Sequence, residues 1–297
     1  METLFLPLKE NKLVAFRNRM LQTSLRQSDF PFSIEDEYPI VLDPSYDSAD
    51  YSFGLIKDNL IISHANLWPR ETTNSVKVGL IGNVATHPDF QRAGHMKALL
   101  EQIESLAKKE GLHATLLWSD LTKFYHKLGY QSAGQEVRYY FEGPSPSQKI
   151  NFSPLNNPTN NQISQIISLR PETITLKRTR NEFKKLLTIP STLLMVDDPN
   201  RIKAFFILGK GADLVGVVHE WGGRPEDIIS GIRFIQDNSD FTYNILLCPQ
   251  NICGHYHKEF SRHAYKKENH SMALGKPLAE GGNHIVKELY IWGLDSI

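Results

Sequence analysis

Cysteine is scarce: Cys248 and Cys253 are the two in 297 residues, too few to build a disulfide scaffold and in keeping with a reducing compartment. Long apolar runs are missing, so no bilayer-spanning segment is expected. The opening METLFLPLKE has neither the basic start nor the apolar length of a secretion signal. There is no surplus of either charge. Lys plus Arg and Asp plus Glu number 33 each, giving a formal net charge of zero. That balance speaks against a broad nucleic-acid footprint, and with no spanning stretch no membrane partner is expected. Together these absences leave a cytoplasmic protein as the expectation. A chain of this length has room for two domains.

What is present is organised in two halves. The stretch GPSPSQKINFSPLNNPTNN, rich in Pro, Ser and Asn, reads as a linker. It gives expected domains over residues 1–143 and 162–297, joined by 144–161. In the first half the spacing predicts a helix from Asn11 to Gln27, an acidic, Pro-containing loop from Phe30 to Asp50, and strands over Tyr51 to Ile56, Leu60 to Trp68 and Val76 to Ala85. Gly79, Gly82 and Asn83 are poor strand formers, so a bulge is expected in the third strand. Leu99, Leu100, Ile103, Leu106 and Ala107 fall at helical spacing between Gly94 and Glu110, with Lys108 and Lys109 in the last turn and Gly111 after it. A strand from His113 to Trp118, a short helix from Leu121 to Leu128 and final strands over Tyr130 to Phe141 complete the half. The second half repeats this order less distinctly. It has strands over Thr192 to Val196, Ala204 to Leu208 and Leu214 to Trp221, the pair Gly222–Gly223, a helix from Pro225 to Asp237, a strand from Phe241 to Cys248 and a helical stretch near Tyr256 to Lys267. A duplicated fold is expected.

The chemistry concentrates in VATHPDFQRAGHM, Val84 to Met96, where a strand ends and an amphipathic helix begins. The first N–H groups of a helix lack intrahelical partners, and the helix dipole adds positive potential there. Gln91, Arg92, Ala93, Gly94, His95 and Met96 would therefore present consecutive N–H groups to an anion. Gly94 lets the backbone come close. No acidic side chain lies between Asp89 and Glu101 to block the place. A pyrophosphate suits it.

This segment resembles the coenzyme-binding motif of the GCN5-related N-acetyltransferases (GNAT), which runs Gln or Arg, two residues, Gly, one residue, Gly or Ala. Gln91, Gly94 and Met96 fill those places, Met96 being bulkier than the family residue and expected to narrow the cradle. A second family motif, Tyr, three residues, Gly, aromatic, is similar to FYHKLGY at Phe124 to Tyr130. The likeness covers about residues 4–142. It implies an α/β (α+β) fold of two GNAT-like domains, each a mixed, mainly antiparallel sheet flanked by helices, with the second domain degenerate, as in the tandem acetyltransferases. It further implies acetyl-coenzyme A as co-substrate and an amine as acceptor, with no metal. The backbone near Val84, Ala85 and Thr86 would pair with the pantetheine arm, the N–H groups of residues 91–96 would hold the pyrophosphate, and Tyr125 would protonate the leaving thiolate. For a general base the residues leave His64, Asp120 and Glu71 open, since the strand before the loop carries no carboxylate. A non-catalytic acyl-coenzyme A sensor is the alternative reading.

Three further features have two readings each. CPQNICGHYH could ligate a metal, or Cys248 could be a buried strand residue. Glu35, Asp36 and Glu37 could attract a cationic amine, or form a solvated loop. In the second half Pro225, Glu226 and Asp227 open the helix after Gly222–Gly223. A missing N–H and two carboxylates there disfavour a phosphate.

Overall fold

The computed structural model describes the whole chain apart from residues 1–3, 9–10, 27–28, 44, 47–49, 59, 143–149 and 239–244. The chain forms two compact units. One comprises residues 1–134, 272–289 and 296–297, the other residues 135–271 and 290–295.

In the first unit the order is β1 (Leu4–Pro7), α1 (Asn11–Leu25), α2 (Ile34–Glu37), β2 (Ser52–Lys57), β3 (Leu60–Glu71), β4 (Lys77–Thr86), α3 (His95–Lys109), β5 (Ala114–Leu117) and α4 (Thr122–Lys127). Strands β1 to β4 run antiparallel in sequence order. β4 and β5 pair in parallel, with α3 as the crossover between them. Side chains alternate across a strand, so Phe53 and Ser52 face opposite sides of the sheet. Phe53, Leu55, Ala65, Leu67 and Ile81 meet Leu99, Leu100, Ile103 and Ala107 of α3. Each large aliphatic side chain buried this way is worth about 2 kcal/mol. Ser52 on the other side meets Arg17 of α1, so α1 and α3 cover opposite faces.

Both helices next to the candidate site end in the same way. In α3 the Gly111 N–H reaches the Lys108 carbonyl and the Leu112 N–H reaches Ala107. In α4 the Gly129 N–H reaches His126 and the Tyr130 N–H reaches Tyr125. These paired bonds need a left-handed residue after the helix, and Gly111 and Gly129 supply it at φ 73° and 88°.

The strand beside β5 is not the one that follows it in sequence. β6 (Gln131–Tyr140) crosses the boundary between the units, and its residues 136–140 pair with a strand of the second unit. Beside β5 stands the end of β12 (Lys266–Pro277), antiparallel, with Leu274 opposite Leu117. Helix α9 (Gly282–Glu288) follows in the first unit. Neither β12 nor α9 is expected from sequence spacing, and the expected last strands of the first half are one strand, β6.

The second unit contains β7 (Ser153–Pro154), α5 (Asn160–Leu169), α6 (Arg180–Leu186), β8 (Leu193–Val196), β9 (Phe205–Leu208), β10 (Val217–Gly222), α7 (Pro225–Asn238), β11 (Ile245–Pro249) and α8 (Gly254–His263). β8, β9 and β10 are antiparallel, while β10 and β11 pair in parallel across α7. Strand, helix, parallel strand thus recurs, as the sequence suggests. The expected linker holds β7 and the start of α5, with 144–149 outside the described residues. The same holds for 241–244 of the expected strand ending at Cys248. Both units have a mixed, mainly antiparallel sheet flanked by helices. In the second, Arg178 lies between Glu220 and Asp295, with Arg170 also on Glu220, and all four are buried. Burial works against the charge on Arg178, yet Asp295 and Glu220 outweigh it and hold the guanidinium more firmly protonated. Among the described residues no helix is long and apolar enough to cross a membrane.

Candidate functional site

Strand β4 carries a bulge where its Gly and Asn content predicts one. His64 stands opposite Ala85 and Asn66 opposite Gly82, so Asn83 and Val84 together oppose the single residue Ala65. Asn83 takes φ 50°, left-handed backbone that Asn tolerates better than most residues. Val84 and Thr86 are half-buried and Ala85 is buried. A Cβ on Gly82 would lie 2.4 Å from the carbonyl carbon of Ile297. That glycine therefore permits a backbone-to-backbone approach that no other residue allows.

From Thr86 the chain turns through Pro88–Phe90, a short 3-10 turn capped by the His87 side chain. The rings of His87 and Phe90 meet edge to face at 5.7 Å, and Phe90 meets His95 at 6.2 Å. Gln91 reaches back with its amide to the Thr86 carbonyl at 3.3 Å. The loop is thereby held at both ends. Between them Arg92 has φ 64° and Gly94 φ 83°, two left-handed residues flanking Ala93. Left-handed residues in alternation with right-handed ones are the backbone pattern from which anion-binding concavities are built in general. Gly94 is the N-cap of α3, and no side chain caps it. A Cβ placed on Gly94 meets nothing within 4 Å. Gln91, Arg92, Ala93 and Gly94 are exposed, while His95 and Met96 are half-buried. Met96 packs against the apolar core of the unit, so its length is accommodated there, and the narrowing expected of it at the cradle does not follow.

Tyr125 sits on α4, buried against Phe124 and Tyr130 with ring centroids 5.0 and 5.6 Å away. The spacing FYHKLGY has a mechanical cause. Gly129 supplies the left-handed cap, and Tyr130 folds back over Tyr125. Desolvation pushes the Tyr125 phenol up to about 12, so it stays protonated at neutral pH.

The three bases left open by the sequence come apart here. His64 is fully buried. Its Nδ1 lies 2.8 Å from the Asn83 carbonyl oxygen and its Nε2 2.7 Å from Ser52 Oγ. Burial pushes the imidazole down to about 3. With both nitrogens engaged, it has no free position for a substrate proton. Glu71 pairs with Lys77, and from there to Val84 β4 runs on the order of 23 Å. Asp120 is exposed in the turn before α4.

The acidic stretch is likewise in use. Glu35 accepts from Asn18, Asp36 bonds Ser33, and Glu37 is paired with Arg26. Cys248 is buried in β11, whereas Cys253 is exposed at the start of α8. His257 lies within hydrogen-bond distance of Tyr139 and the Gln250 carbonyl.

At the second helix start, Pro225 opens α7 and Arg224 pairs with Asp227 at 2.9 Å. Gly222 and Gly223 are filled by the chain itself. A Cβ on Gly222 would lie 2.5 Å from the Leu169 carbonyl oxygen, and one on Gly223 2.6 Å from that of Lys203. These glycines serve close packing, whereas Gly94 faces open space.

A family model for the acetyltransferase (GNAT) domain matches residues 9–133. This segment is a GNAT acetyltransferase domain. Solved structures bear out the fold. A GCN5-related N-acetyltransferase from Kribbella flavida superposes with TM-score 0.65 and 11% identity, over 96% of this chain and 74% of its own. One from Anabaena variabilis gives 0.67 and 12%, over 96% and 75%. Saccharomyces cerevisiae N-myristoyltransferase with bound myristoyl-CoA gives 0.55 and 10%, over 93% and 84%. At such identities the likeness is one of fold. No curated protein matches the chain in sequence. The match supports acyl transfer in general as the chemistry of this domain. The residues that sequence reading passed over are Arg17 and Ser52, whose partners lie far away in the chain.

Proposed function

We propose that this protein transfers an acetyl group from acetyl-coenzyme A to the amine of a small molecule or protein by direct attack on the thioester. The observation that carries the reading is the loop at residues 91–96. Two left-handed residues, an uncapped helix start and a Gly94 open to solvent form a receptor for a pyrophosphate. The backbone of Val84, Ala85 and Thr86 at the bulge takes the pantetheine arm, and Tyr125 donates to the departing sulfur. The coenzyme binds once per chain. The second half of the sequence, residues 162–297, which we read as a degenerate GNAT copy, offers at α7 a proline, two carboxylates and glycines already packed against Leu169 and Lys203. Balanced charge fits a cytoplasmic enzyme whose partners are neither nucleic acid nor membrane.

Calorimetric titration of the full chain with acetyl-coenzyme A is expected to give a stoichiometry of one. Gly94→Trp puts an indole where the phosphates would lie and is expected to abolish the binding. A stoichiometry of two, or wild-type affinity in the variant, overturns the placement. Thiol release with a panel of primary amines then separates enzyme from sensor. Binding without release for every amine tried would favour the non-catalytic reading.

A further inference from the structure

The bulge in β4 is gripped from β3 on both sides. Asn66, after the register shift, takes the Asn83 side chain: Asn83 Nδ2 donates to Asn66 Oδ1 at 3.1 Å. The Asn66 amide group is fixed in turn by the carbonyls of Val41 and Tyr51. His64, before the shift, takes the Asn83 main chain at 2.8 Å. A carbonyl only accepts, so His64 Nδ1 carries the hydrogen and Nε2 is an acceptor. Ser52 Oγ, 2.7 Å from Nε2, must then donate to it, which leaves the serine oxygen free to accept from Arg17 Nη1 at 3.2 Å. Arg17 is itself held by the Leu42 carbonyl and by Asn18. Every hydrogen in the run Arg17, Ser52, His64, Asn83 thus has one permitted direction. The run is buried throughout, where such bonds hold a geometry most firmly. No member of it is needed to bind an anion or to move a proton.

We propose that His64 is a positioning residue for acyl transfer, whose imidazole, locked in one tautomer by Ser52 and Arg17, fixes the Asn83 carbonyl and with it the direction of the Val84 and Ala85 backbone that meets the thioester end of the coenzyme. This rests on the function proposed above. Two consequences separate it from a merely structural role. The grip acts at the acetyl end of the ligand, whereas the pyrophosphate loop lies further along the chain. It also depends on an N–H at one point, which Asn at position 64 can supply from a similar place and Leu cannot.

The test compares coenzyme A with acetyl-coenzyme A by calorimetry on the full chain. Wild type is expected to favour acetyl-coenzyme A by about fivefold, what one hydrogen bond to the acetyl carbonyl adds. In His64→Leu the preference is expected to fall to one with coenzyme A affinity unchanged, and His64→Asn is expected to restore it. Should His64→Leu not fold, Ser52→Ala, which removes the donor that holds the ring at Nε2, is expected to lower the preference instead. An unchanged preference in these variants, or a parallel loss for both ligands, overturns the inference, as does a preference of one in wild type. If wild type binds neither ligand, the proposed function fails first and the inference falls with it.

Discussion

Replacing Tyr125 by Phe is expected to lower turnover by about 100- to 10,000-fold, the usual contribution of a general acid, while affinity for acetyl-coenzyme A stays within about twofold. The ring keeps its packing against Phe124 and Tyr130, so the loss is confined to the hydroxyl. The direction of the pKa shift sharpens the role. A phenol pushed up to about 12 holds its proton more tightly than a thiol of pKa about 8.5. Complete transfer in the transition state is therefore uphill, and the hydroxyl acts chiefly by donating a strong hydrogen bond to the sulfur as its charge develops. The rate should show no decline assignable to Tyr125 ionisation below about pH 11, since the acid form persists there. Steady-state turnover with a reactive amine, paired with calorimetric binding, reads both numbers. Unchanged turnover in Tyr125→Phe, where chemistry limits the rate, would remove the residue from the mechanism.

Mild acid should destabilise the protein through its buried histidines. His64 is pushed down to about 3 by burial, with the Asn83 carbonyl opposing and Arg17 reinforcing the shift. His219 in the second unit is pushed down to about 4, again by burial first. In the unfolded chain both titrate near about 6.5. Between these values the unfolded state binds the extra proton and the folded state does not, so stability is complete above pH 6.5 and drains away as the pH falls. Each histidine sets a slope of about 1.4 kcal/mol per pH unit. Between pH 6.5 and 5 each unit therefore loses on the order of 2 kcal/mol, a sizeable part of the 5–15 kcal/mol typical of a domain. Melting temperatures measured across that window should fall steadily, and His64→Asn should remove one proton's worth of the slope. A flat profile would mean that these imidazoles are not held neutral.

The features that were legible in the sequence are those whose causes are local. Helix α3 is announced by Leu99, Leu100, Ile103 and Ala107 at helical spacing and by Gly111 at its end. The bulge is announced by Gly82 and Asn83, and the start of α3 by Gly94. Where the cause is distant, the pattern is silent. The polar start of β12, KKENHS, gives no sign of the buried Met272 to Gly275 or of the pairing of Leu274 to Pro277 with β5. Glu35 and Asp36 are exposed as a solvated stretch would be, but Glu37 is buried, because its partner Arg26 is brought to it from eleven residues away in the chain. Alternation puts His64 on the inner side of β3. It says nothing of Ser52 and Asn83 taking both ring nitrogens, which turns a candidate base into a clamp. The helix start after Gly222–Gly223 is read from sequence as disfavouring a phosphate on the strength of Pro225, Glu226 and Asp227, whereas the close packing of the two glycines on Leu169 and Lys203 has distant causes that the pattern does not carry.

The partner of β5 has a consequence for how this protein comes into being. On the ribosome, the first unit's β5 emerges long before Met272 to Pro277 exist. At about 5–20 residues per second, the wait is on the order of ten seconds. Through that interval β5 has an open edge of unpaired N–H and C=O groups, flanked by the apolar Leu116 and Leu117, the kind of edge that recruits other chains. A fragment ending near residue 143 would keep this condition permanently and is expected to aggregate on expression more than the full chain does. For about half of its synthesis the nascent chain carries this open edge, and slowing translation between residues 144 and 265 is expected to lower its yield.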